Sequence, residues 1–134
     1  MAAMSDDLEN KLINHIFRNT DYTRPANIYL ALFTAAPSDS GGGTEVSGGS
    51  YARQAVATGA SSGWDAASGG ATANTGVVTF PTATADWGTI THVGVFDAST
   101  SGNLMFHGAL SSNKTVSNGD IFRFNAGEFD IAFQ

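Results

Sequence analysis

Apolar residues recur along this chain with two different periods, and the change of period divides it. Between Ser5 and Asn19 the period is helical: Leu8, Leu12 and Ile16 fall at i, i+4 and i+8, with Ile13 and Phe17 beside them. Ser5 is a good N-cap, and Asp6, Asp7 and Glu9 follow it at the positive end of the helix dipole. Arg24-Pro25 prevents a continuation. The stripe of Leu8, Leu12 and Ile16 is expected to cover the chain's own sheet.

After Pro25 the period is two. Strands are expected at 26–34, 51–58, 76–80, 89–97, 103–110, 112–117, 120–125 and 128–133. Turn signals separate them, among them Ser101-Gly102-Asn103, Ser111-Ser112-Asn113 and Asn118-Gly119-Asp120. The first strand is apolar on both faces, Ile28, Leu30 and Leu32 on one and Tyr29, Ala31 and Phe33 on the other, so it is expected to be central or covered. Many short strands at near-regular spacing predict a mainly β fold, an antiparallel β-sandwich with one N-terminal α-helix. A jelly-roll-like order is expected, although an immunoglobulin-like order fits the same pattern. The organisation expected is a single domain over 1–134, with a flexible start over 1–4, a helix over 5–19 and the sandwich over 26–134.

Residues 35–50 and 59–75 have no periodicity and are rich in Gly, Ser, Ala and Thr. Loops beyond ~12–15 residues are uncommon in compact domains and usually carry function. Trp64 stands in the second and is expected to anchor it, on its own domain or on a partner.

Charged residues make up 13 % of the chain, about half of the roughly 25 % usual in soluble domains. A surface so poor in charge favours association. The net charge is −6 and the six bases form no stripe, which argues against nucleic acid as a partner. The chain has no cysteine, no apolar run long enough for a membrane span and no secretory signal at its start, so synthesis in a cytoplasm is expected.

Candidate chemistry is thin. Gly59-Ala60-Ser61-Ser62-Gly63 fits G-x-S-x-G but lacks the strand before and the helix after that a nucleophile elbow needs. The glycines at 41–43 and 48–49 have no lysine near them to complete a phosphate loop. His15, His92 and His107 are isolated, and His92 and His107 are expected to pair structurally across neighbouring strands rather than bind metal. Asp97 and Asp120 read as turn acids that bond their own backbone. No enzyme activity, cofactor or metal is expected.

The segment ALFTAAPSDSGGGTEVSGGSYARQ resembles one carried by small virion structural proteins of tailed bacteriophages, labelled capsid-decoration or tail-fibre proteins. THVGVFDASTSGNLMFHGAL and NKTVSNGDIFRFNAGEFDIAF are similar to later blocks of the same family. The resemblance implies a β-sandwich displayed on the outer surface of the phage particle. It implies most directly a capsid decoration or cement protein bound to the major capsid protein, as a homo-oligomer and preferentially a trimer. The alternative is a tail-fibre or tail-tip protein that meets tail proteins and adsorbs to host glycans through Tyr51, Trp64 and Trp87. Tyr51, Arg53 and Trp64 are the residues expected to contribute to subunit or capsid contact.

Overall fold

The computed structural model describes residues 3–59 and 63–133. Its elements are β1 (Ala3–Met4), α1 (Asp6–Phe17), β2 (Asn27–Ala35), β3 (Thr44–Glu45), β4 (Gln54–Ala57), β5 (Ala71–Ala73), β6 (Val78–Thr79), β7 (Gly88–Phe96), β8 (Leu104–Val116), β9 (Arg123–Phe124) and β10 (Asp130–Ala132). The fold is mainly β, and its strand pairings are antiparallel.

The main sheet runs β1-β8-β7-β2, and β2 meets both β4 and β3 along its far edge. Leu30, Ala31 and Leu32 of β2 are fully buried and Phe33 nearly so, as two apolar faces require. One face, with Ile28, Leu30 and Leu32 beside Val56, Val95 and Phe106, builds the main core with Phe80, Trp87, Phe122, Phe124 and Phe129. Above it lie two ribbons, β5 with β10 and β6 with β9. This is compatible with a sandwich whose second layer is broken into short pieces. On the other face Phe33 stacks on Phe96, with ring centroids 6.2 Å apart.

Gly94 lies between those rings because nothing larger fits: a Cβ there would come 2.8 Å from Phe33 and 3.1 Å from Leu104. We expect Gly94→Ala to lower unfolding stability by about 1–3 kcal/mol, as overpacking does. A denaturant midpoint unchanged from the parent would show that the ring pair can part freely.

Four sequence expectations are corrected. Residues 3–4, read as part of a flexible start, pair with His107 and Phe106 as β1. The strands expected at 103–110 and 112–117 are one strand, β8, and the turn signal at Ser111-Ser112-Asn113 produces a bulge instead. Two steps along β7, Ile90 to His92, are matched by five along β8, Lys114 to Ala109. The extra residues bulge out of the ladder without reversing the chain. The loop at 59–75 contains β5, and Trp64 bridges to Asn74 within it.

The fourth correction concerns α1. Ser5 caps it as expected, accepting from the Leu8 N–H, and is itself buried while donating to the Leu104 carbonyl. Leu8 is buried and Leu12 partly so, but Ile16 is 67 % exposed. The helix is tied to β8 at its start, where the Ser5 N–H meets the Met105 carbonyl, and its last turn, with Ile16 and Phe17, is left exposed. Among the described residues no helix is long and apolar enough to cross a membrane.

Candidate functional site

The glycine-rich segment 35–50 is built as a folded loop. Ser38 and Gly41 bond each other's backbones in a tight turn. Gly43, at φ +77°, passes so close to its own chain that a Cβ would meet Pro37 at 2.7 Å and the Ala35 carbonyl at 2.8 Å. Only glycine permits both the left-handed backbone and that approach. Asp39 then bonds His107 of β8 at 2.7 Å, and its carbonyl accepts from the Asp6 N–H. Loop, helix start and sheet are thereby joined.

Beside this loop Tyr51, Arg53 and Glu45 form one network. The Arg53 guanidinium donates to both Glu45 oxygens at 2.8 Å, a bidentate pair, and to the carbonyls of Ala98 at 2.9 Å and Ser101 at 2.8 Å. Its carbon stands 3.7 Å above the Phe96 ring centroid, continuing the Phe33–Phe96 stack. The Tyr51 hydroxyl donates to Glu45 at 2.7 Å and accepts from the Leu32 N–H at 3.0 Å. The Tyr51 ring lies parallel to Phe80 and edge-on to Trp87, and the Trp87 indole donates to the Gly49 carbonyl. Tyr51 and Arg53 thus fasten the loop to the sheet, and the Arg53 side chain is only 7 % exposed.

Burial alone would raise the Glu45 carboxyl, but hydrogen bonds from Arg53 and Tyr51 outweigh it and hold the group below its ordinary value of 4.5. Asp97 behaves alike: burial raises it, and the backbone and side-chain N–H groups of Asn103 bring it below 3.8. Burial pushes the Tyr51 phenol up, with the Glu45 carboxylate adding to the shift. A lowered acid contributes stability that is whole above its unfolded value and lost as pH falls through its folded one. A raised phenol contributes stability lost as pH rises above about 10. We therefore expect the urea midpoint to fall below pH 4.5 and again above pH 10. A midpoint flat from pH 5 to pH 3 would contradict the role given to Glu45 and Asp97.

Trp64, in the other long segment, packs on the core edge-on to Phe129 at 6.0 Å. The loop is therefore anchored on its own domain. Asn74, which the sequence reading did not single out, is the keystone there. It is 1 % exposed; its amide donates to the carbonyls of Gly76 at 2.7 Å and Asn125 at 3.0 Å, and its carbonyl oxygen accepts from the Phe129 N–H at 2.9 Å.

The histidines do not pair with each other. His92 lies opposite Ala109 and bonds Thr91, while His107 lies opposite Gly94 and bonds Asp39. The Nδ1 of His15 accepts from the Tyr22 N–H. Asp97 and Asp120 accept from the backbone N–H groups of Asn103 and Ser117, closing their turns. Among the described residues no group of three or more His, Asp or Glu side chains is placed to hold a metal. Ser61 lies outside the described residues.

A cleft of about 550 Å³ opens next to the Arg53 network, with Phe33, Phe96 and Leu104 as its floor and Asp6, Asp39 and the glycines 41–43 as its wall. A second, of about 350 Å³, opens under the β8 bulge. Residues 3–132 match the family model described as Podophage GP4 fiber I protein gp80. A search of curated proteins gives no match.

Proposed function

The chain belongs to the podophage GP4 fiber I protein family and is a small phage virion structural protein, and from that membership we propose that it forms part of a tail fibre and serves in host adsorption. The family match over residues 3–132 carries this reading. It favours the fibre over head decoration, which the sequence had put first. The head reading drew on the small size, the charge-poor surface and the lack of candidate chemistry, which suit either location, and the trimer expectation drew on the resemblance and also on the two apolar faces of 26–34, the charge-poor surface and the long loops.

The structure bears on how adsorption would work. Trp87 is buried, the Tyr51 ring packs against Phe80 and Trp87, and Trp64 packs edge-on against Phe129, so all three aromatics are engaged within the chain's own core rather than set out for stacking on a sugar. Contact with the host would then run through the polar loops and clefts. A non-catalytic role is part of the same proposal. It is supported by the partners of the histidines: His107 bonds Asp39, His15 accepts from the Tyr22 backbone, and the His92 ring that meets the Thr91 hydroxyl is bonded by no acid among the described residues, so no triad is completed.

Particles assembled without this chain test the proposal. Their heads are expected to fill and hold DNA normally while adsorption to host cells drops, and added purified chain is expected to compete with intact phage. Particles that adsorb normally but lose DNA on heating would support the shell reading instead.

A further inference from the structure

The strand β6 is an open edge. It pairs on one side only, with Val78 opposite Phe124 and Thr79 opposite Arg123 of β9. The Phe80 N–H donates to the Phe122 carbonyl, so in this antiparallel ladder Thr79 and Arg123 exchange no bonds with each other. The N–H and C=O of Thr79 therefore point away from β9. By the same alternation those of Val77, at the entrance to the strand, point there too. No backbone hydrogen bond takes up these groups among the described residues.

They open onto a groove of about 530 Å³ whose other lip is β4, with the buried Val56 and Val78 as its floor. Val77 stands 56 % exposed on the rim, and nothing that lines the groove is charged. Strand edges are usually guarded by a lysine, a proline or a bulge, and residues 75–79 hold none of these. A ribbon of two short strands is also marginal by itself and gains from a further strand.

We propose that β6 of a second copy takes this edge, antiparallel, across a two-fold axis that passes through Val78. Val77 of each copy then lies opposite Thr79 of the other, and each such pair exchanges both of its N–H···O=C bonds. The outward groups are all satisfied together, because the edge is complementary to its own copy. Charge favours the same place. The chain carries −6, and a two-fold contact sets each patch against itself, so an uncharged stretch is where two copies meet with least repulsion. The contact is isologous, and assembly stops at the dimer. This goes beyond the fibre reading, since it is a property of the purified chain, and its failure would leave that reading intact.

Sedimentation velocity from micromolar to millimolar concentration tests it on three proteins: the parent, Val77→Lys combined with Thr79→Lys, and Val77→Glu combined with Thr79→Glu. The parent is expected to form a dimer and nothing larger. Each variant alone is expected to dimerise at least about tenfold more weakly, because like charges stand directly opposite across the axis. Melting temperatures of the monomers are expected to match, since both side chains are exposed and neither backbone bonds β9. The deciding arm is the one-to-one mixture of the two variants, in which lysine faces glutamate and the dimer returns. Hydrogen exchange of the parent is expected to slow at the Val77 and Thr79 amides as concentration rises. A parent that stays monomeric, an assembly larger than a dimer, a dimer indifferent to the substitutions, or amides that gain protection only from an added uncharged peptide strand would each overturn the proposal.

Discussion

Replacing Arg53 by alanine is expected to cost about 3–5 kcal/mol of unfolding stability, the range for removing one partner of a buried ion pair. The reason is what remains behind. Glu45, 24 % exposed, would keep only the Tyr51 hydroxyl as donor, the carbonyls of Ala98 and Ser101 would lose theirs, and the Phe96 ring would lose its cover. Against a typical total of about 5–15 kcal/mol, that is enough to bring the variant near unfolding at ordinary temperature. Arg53→Lys is expected to recover less than half, because an ammonium cannot match a bidentate carboxylate and two carbonyls at once. Adding Glu45→Gln to the alanine variant removes the orphaned charge and should restore part of the loss. Urea unfolding of the four proteins checks this; a loss under about 1 kcal/mol would mean that solvent screens the pair as it does a surface bridge.

Asn74→Ala is expected to have a comparable effect, about 3 kcal/mol or more. Three groups lose their partner at once: the Phe129 N–H and the carbonyls of Gly76 and Asn125. Each unsatisfied buried group costs about 1–3 kcal/mol, and the shortened side chain leaves a void besides. Asn74→Asp separates these contributions, for it preserves shape and the bond from Phe129 while turning two donations into repulsion between a carboxylate and carbonyls. It should therefore be no better than alanine. Near-parental stability for the aspartate would mean that water reaches the site.

The elements legible in the sequence were those whose signal is local. Two apolar faces on 26–34 placed β2 inside the sheet, and Ser5 before an apolar stripe placed the start of α1. Ser111-Ser112-Asn113 misled because the residues that suit a hairpin turn also suit a bulge, and which one forms depends on the partner strand β7. The period of the stripe extended to Ile16, but a helix face is buried only as far as its partner reaches. The sequence singles out Tyr51 and Arg53 as contact residues but not the network that fastens them within the chain, because their partner Glu45 gives no sign: an acid in a glycine-rich segment reads as solvated. Asn74 was invisible for the same reason: in sequence a buried keystone asparagine looks like any loop asparagine. The kinship with phage virion proteins was legible because it lies in whole blocks, residues 41–54 foremost. Head or tail was not, because location is decided by surfaces on other proteins of the particle.

Locating the chain on the intact virion tests the central claim most directly. Gold-labelled antibody against it, or a reconstruction of the particle, is expected to place it on fibres at the tail. Label or density spread over the head shell and absent from the tail would contradict the account.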